Sequence, residues 1–153
     1  MKGIIVYDSK YGNTKIVAEK ISEGLRTVRG IQVELEKVQD VEINNMPKYD
    51  LIVIGSPNHM GGPSRPIRKF IDKLSELDLK NKVTAAFDTY IGKDFQKTAK
   101  KIEEKLTRVV GKLKLMSLSL SIRVKGMKGP IDEDEIDKCV EFGRKLGEKI
   151  LQP

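Results

Sequence analysis

The hydrophobic positions of this chain alternate between short unbroken apolar runs and helical spacing, and this pattern predicts five strand and helix pairs. Gly3-Ile4-Ile5-Val6-Tyr7 is a continuous run of the kind needed by a strand buried on both faces. From Thr14 the apolar residues Ile16, Val17, Ile21 and Leu25 recur near the helical period, predicting a helix closed at Gly30. In residues 31–38, Ile31, Val33 and Leu35 alternate with Gln32, Glu34 and Glu36, the mark of a half-exposed strand near a sheet edge. Residues 50–56 form the most hydrophobic strand candidate and end in the turn-rich stretch Ser56-Pro57-Asn58-His59-Met60-Gly61-Gly62-Pro63. Ser64 then caps a helix whose core face is Ile67, Phe70, Ile71 and Leu74, with Pro66 tolerated in its first turn. Residues 83–87 predict a fourth strand and 88–92 a loop. A helix follows from Asp94 to about Val110, with Phe95, Ala99, Ile102 and Leu106 inward and lysines outward. Residues 113–124 alternate strictly, with Leu113, Leu115, Ser117, Ser119 and Ser121 on one face, which predicts the fifth strand. A closing helix spans 130–151, its acidic residues 132–137 at the end where the helix dipole favours them. Strands and helices in this order predict an α/β fold, a doubly wound parallel sheet covered on both faces.

Length and composition narrow the class. At 153 residues, the expectation is a single domain over 1–153 that hides roughly 70% of its unfolded surface. With 39% hydrophobic and 33% charged residues the composition is globular and not disordered. Runs such as Leu51-Ile52-Val53-Ile54 are far below the ~20 residues that span a bilayer, and Met1-Lys2 leads straight into a strand. A cytoplasmic protein without a membrane segment is therefore expected. One cysteine, Cys139, excludes an internal disulfide, and one histidine with one cysteine cannot build a structural zinc site.

The net charge of +7 is regional: residues 93–128 hold eleven Lys/Arg against three Asp/Glu, and the rest is close to neutral. This favours an acidic partner surface or an anionic ligand there, or is simply the solvated face of a lysine-rich helix. Aromatic content of 5% and the lack of a nucleic-acid motif argue against specific nucleic-acid binding.

Ligands of open parallel sheets bind beyond the carboxyl ends of the strands, so the loops after strands one, three and four are the places to search. The first, Ser9-Lys10-Tyr11-Gly12-Asn13-Thr14, is dense in hydroxyl and amide groups and opens a helix, where backbone N–H groups and the helix dipole attract an anion such as phosphate. It matches neither G-x-x-x-x-G-K-[ST] nor G-x-G-x-x-G. On local grounds alone, Asn13 and Thr14 also serve as ordinary helix caps.

This loop, between a strand and a helix, resembles the phosphate loop of the flavodoxin family, a Ser/Thr-x-Thr/Tyr-Gly-Asn-Thr pattern. The resemblance runs the length of the chain, through Gly55-Ser56-Pro57 at the end of strand three and the aromatic loop after strand four. It implies a flavodoxin-like sandwich with sheet order 2-1-3-4-5, FMN as cofactor, and electron transfer between redox partner proteins. By the same resemblance, Ser9, Lys10, Tyr11, Gly12, Asn13 and Thr14 would hold the phosphate. Pro57, Asn58, His59, Met60, Gly61 and Gly62 would face one side of the flavin ring, the Met-Gly peptide being able to turn over on reduction. Asp88, Thr89, Tyr90 and Gly92 would meet the other face and the polar rim. Read without the resemblance, Met60 is also a plain packing residue, Gly61-Gly62 a turn, His59 an exposed loop residue and Tyr90 a rim contact.

The sequence departs from many flavodoxins in being basic and lacking tryptophan. With Lys10, His59, Arg65 and Lys93 in or near its loops, the expectation is a less negative potential for the last reduction step and partners with acidic docking surfaces. The competing reading is an FMN-dependent NAD(P)H:quinone or flavin reductase on the same fold; oligomeric state is left open.

Overall fold

The computed structural model describes residues 1–152, the side chain of Ser117 apart. The fifth-strand alternation at Ser117 therefore lies outside the described residues. Strands β1 (Lys2–Tyr7), β2 (Gln32–Lys37), β3 (Leu51–Pro57), β4 (Val83–Tyr90) and β5 (Lys114–Arg123) form one sheet in the order β2-β1-β3-β4-β5. Every neighbouring pair is parallel. Helices α1 (Asn13–Arg26), α2 (Arg65–Leu74), α3 (Lys97–Val109) and α4 (Glu133–Ile150) make the crossovers and the closing layer. No helix among the described residues is long and apolar enough to cross a membrane.

Because successive strand residues point to opposite faces, the unbroken apolar runs feed two cores at once. Ile5, Tyr7, Leu51, Val53, Ala85 and Phe87 pack with Val17, Ile21 and Leu25 of α1 and Phe142 and Leu146 of α4. Ile4, Val6, Ile52, Ile54 and Ala86 pack with Ile67, Phe70, Ile71 and Leu74 of α2 and Ile102 and Leu106 of α3. The alternating strand β2 lies at the edge, as its pattern requires. Cys139 sits on the buried face of α4, and desolvation pushes its thiol up to about 12.

Helices α1 and α4 meet at glycines. A Cβ at Gly24 would stand 2.0 Å from the Val140 carbonyl oxygen, and one at Gly143 would stand 2.1 Å from that of Ile21. Only hydrogen allows this backbone approach, which seats α4 on α1.

In β4 and the helix that follows it, two boundaries and one strand pairing differ from the sequence expectation. β4 continues to Tyr90, so Asp88, Thr89 and Tyr90 belong to a strand rather than a loop. Their side chains therefore alternate between the two faces of the sheet. α3 begins at Lys97 rather than Asp94, because Gln96 adopts a left-handed conformation with φ of 62° and sets the first turn. Pairing of β4 with β5 is in register only in two pieces: Thr84 opposes Leu115 and Ala86 opposes Ser119, which interrupts the strict alternation expected of β5.

Candidate functional site

The connection leaving β1 goes to α1 on one face of the sheet and that leaving β3 goes to α2 on the other. The loops consequently diverge at their carboxyl ends and open a cavity of about 230 Å³. Its wall comprises Ser9, Lys10, Tyr11, Asn13 and Thr14 after β1, Pro57, Asn58 and His59 after β3, and Thr89 and Tyr90 of β4, joined by Ile91. Val124, Gly126 and Met127, which follow β5, close the remaining side.

At the start of α1, Gly12 takes a φ of 94°, a conformation that favours glycine, although a Cβ there would meet nothing within 4 Å. The turn allows the Ser9 hydroxyl oxygen to accept from the N–H groups of Gly12 (3.1 Å) and Lys15 (3.3 Å). The intervening N–H groups of Asn13 and Thr14 have no protein acceptor among the described residues, and the first turn contains no acidic side chain. Unpaired donors at the positive end of a helix are the elements of an anion site. Lys10 lines the same cavity, its ammonium 5.4 Å from the centre of the Tyr11 ring.

The loops are strapped together beneath this cradle. The Thr14 and Thr89 hydroxyls, both buried, share a hydrogen bond of 2.9 Å, tying the first loop to β4. The Asn58 N–H donates to the Thr89 carbonyl at 2.8 Å, tying the second. The Asn58 side chain donates to Asp94 at 2.7 Å and accepts from the Thr98 hydroxyl at 2.6 Å, so it is spent on positioning the start of α3. The Asn13 amide donates to the Met127 carbonyl at 3.4 Å, drawing the loop after β5 across the first loop.

The remaining walls are apolar and aromatic. Tyr90 is half-buried, and desolvation raises its phenol above the ordinary value, so it stays protonated. Its ring meets Phe95 edge to face, with centroids 5.8 Å apart at 65°. Tyr11, Ile91 and Met127 are exposed large hydrophobic side chains on the cavity wall. A slot with such walls, next to an anion cradle, suits a ligand with a flat apolar body and a charged tail.

Several expected site residues stand elsewhere. Asp88 is fully buried on the α3 side of the sheet, where Ser121 Oγ donates to it at 2.5 Å and the Ala99 N–H at 2.7 Å. Strand alternation turns Thr89 toward α1 and Asp88 away from it, so the carboxylate does not reach the cavity. Met60 and Gly61 form the tip of a two-residue turn between His59 and Gly62, whose N–H and carbonyl groups bond reciprocally at 2.8 and 3.0 Å. Both tip residues have positive φ, 52° and 84°, as the tight hairpin turn demands. Met60 is wholly exposed, and neither it nor Gly61, Gly62 or Gly92 lines the cavity. Gly12 shapes the first loop without facing the cavity itself.

Val124, Gly126 and Met127 were not anticipated. The turn-rich Gly126-Met127-Lys128-Gly129-Pro130 directly after a strand was the available signal, since it too lies at a carboxyl end.

The family model described as flavodoxin matches residues 5–143. A flavodoxin of Aquifex aeolicus is 33% identical over 91 residues, covering 58% of this chain and 49% of that protein. A flavodoxin of Clostridium saccharobutylicum is 35% identical over 89 residues, covering 58% and 56%. The chain thus spans about half the length of the curated relatives it matches. A solved flavodoxin from the domain Archaea superposes over its full length, covering 99% of this chain and 100% of that one, with a TM-score of 0.85 and 27% identity.

Proposed function

The chain belongs to the flavodoxin family, and from that premise we propose that it acts as one domain that binds FMN and carries electrons between redox partner proteins in the cytoplasm. One observation carries the reading: a single cavity joins unpaired helix N–H donors to an aromatic and apolar slot. The residues present fit FMN. The N–H groups of Asn13 and Thr14, with the Ser9 hydroxyl and Lys10, supply donors and positive charge for its phosphate. Tyr90, Tyr11, Pro57, Ile91 and Met127 supply walls for its ring.

Bound FMN supplies the one-electron chemistry, and the protein's share is to hold and insulate it. The Thr14–Thr89 and Asn58–Thr89 bonds fix the spacing of the loops before the cofactor arrives, which lowers the ordering cost of binding. The apolar walls exclude water from the ring. Tyr90 stays protonated, and the Asp88 carboxyl faces α3 rather than the cavity. Lys10 puts positive charge at the cavity and so favours a more negative cofactor, raising the potential of the last reduction step relative to an acidic site. Partners with acidic docking surfaces complement the excess of cations on the chain.

The test is an FMN titration followed by visible absorption, then stepwise anaerobic reduction. Tight binding with two resolved one-electron steps supports the carrier. Direct two-electron bleaching by NAD(P)H would assign a reductase instead, and absence of FMN binding would overturn both.

A further inference from the structure

Outside the cofactor cavity, positive charge collects in a groove of about 560 Å³ between α2 and α3. Arg65 and Arg68 of α2 form one wall, and Lys101, Lys105 and Arg108 of α3 the other. The spacings, three residues on α2 and four then three on α3, put each set on a single helix face. Glu104 is the one acidic residue on the wall. Lys105 is held by Asp72 at 2.8 Å. Arg65, Arg68, Lys101 and Arg108 are exposed and have no carboxylate partner among the described residues.

Unpaired like charges facing one another raise the energy of the free protein, and an anion lying between them relieves it. The shape of the site indicates which anion. Lys101 to Arg108 covers seven helical residues, about 10 Å along the axis. A phosphate is held by donors converging on a point, commonly backbone N–H groups; this row of flexible, exposed cations instead matches successive carboxylates along an extended segment. His59 lines both the groove and the cofactor cavity, so whatever occupies the groove lies against the hairpin that borders the cavity.

We propose that the α2/α3 groove docks an acidic segment of a redox partner protein, pairing its carboxylates with Arg65, Arg68, Lys101 and Arg108 and seating the partner beside the cofactor. This rests on the carrier reading above. It also draws a distinction within the basic stretch that the sequence alone does not: Lys101 and Arg108 work with Arg65 and Arg68 from another helix, and not with Lys112, Lys114 or Lys125 nearby in the chain.

The experiment uses the full chain loaded with FMN and a short fluorescent peptide of alternating Glu and Asp. NADP⁺ and a single-stranded DNA oligonucleotide of similar charge serve as the other anions. Expected are peptide binding that weakens as salt is raised, amide NMR shifts concentrated in residues 62–68 and 101–108, and a loss of about tenfold or more in R68E/K101E. An equal charge reversal on the opposite face, K145E/K149E, should change binding by no more than about twofold. FMN affinity, measured on each variant, should be unchanged. Equal weakening by both reversals overturns the proposal, because net charge alone then explains binding. Tighter binding of NADP⁺ or of the oligonucleotide in the groove also overturns it, making this a nucleotide or nucleic-acid site. Failure of the peptide with FMN retained refutes the groove alone, whereas failure of wild-type protein to bind FMN refutes the carrier reading.

Discussion

Burial of Asp88 ties the stability of the fold to pH in a definite direction. Desolvation raises its carboxyl from the ordinary 3.8 to about 6, against the opposing effect of hydrogen bonds from Ser121 and from the backbone at Ala99 and Thr98. Between those values the folded protein binds the proton that the unfolded chain has already released. Stability therefore falls as pH rises through this window, and the loss is complete above the folded value. The separation corresponds to about 3 kcal/mol, of which about 2 kcal/mol develops between pH 4.5 and 7. Asp88→Asn keeps the size of the side chain and an acceptor for the Ala99 N–H while abolishing the titration. Urea unfolding of both proteins across this pH range isolates the effect, because the other carboxylates cancel in the difference. The stability of the wild type minus that of the variant should decline by about 2 kcal/mol from pH 4.5 to 7. A difference that stays flat or climbs with pH would refute the view of Asp88 as a charge held against its solvation cost.

Three further outcomes follow from the packing and the site. Gly24→Ala or Gly143→Ala drives a methyl into a backbone carbonyl at the α1–α4 contact, and thermal or urea unfolding should show a loss of about 3 kcal/mol or more. Thr89→Val strands the buried Thr14 hydroxyl and should cost about 1–3 kcal/mol; with Thr14→Val added, the double-mutant cycle should return part of it, whereas strict additivity would deny the coupling. Ser9→Ala removes the acceptor that organises the first turn of α1. It should weaken FMN binding by about tenfold and that of riboflavin, which lacks the phosphate, much less; equal losses would show that Ser9 acts on the ring end instead.

The architecture was legible because the central strands carry apolar runs and the outer ones a two-residue alternation that no helix period accounts for, while each helix carries one inward stripe. Residues 3–7 and 51–54 read as central strands for that reason, and the alternation from Ile31 to Glu36 read as an edge. Local signals fell short where a distant partner decides the outcome. Asp94 has the chemistry of a helix cap, but it accepts from Asn58, 36 positions away, and the helix starts after Gln96. Asp88 at a strand end looks like a ligand to the cavity until Ser121 and the start of α3 claim it. The first loop was readable from its own residues. The closing wall at Met127 was not, because its link to Asn13 crosses 114 positions of sequence.

The placement of the helices gives the molecule an electrical polarity. On one side of the sheet α2 and α3 carry nine Lys/Arg against three Asp/Glu, while on the other α1 and α4 carry seven against eight. A particle charged this way has a permanent moment directed through the sheet, and the field of an approaching acidic molecule exerts a torque on it well before contact. Random tumbling is thereby converted into a preferred angle of approach, with the α2/α3 side leading. For an acidic partner such as the one proposed above, encounters would be biased to begin with the hairpin at His59 near the meeting surface.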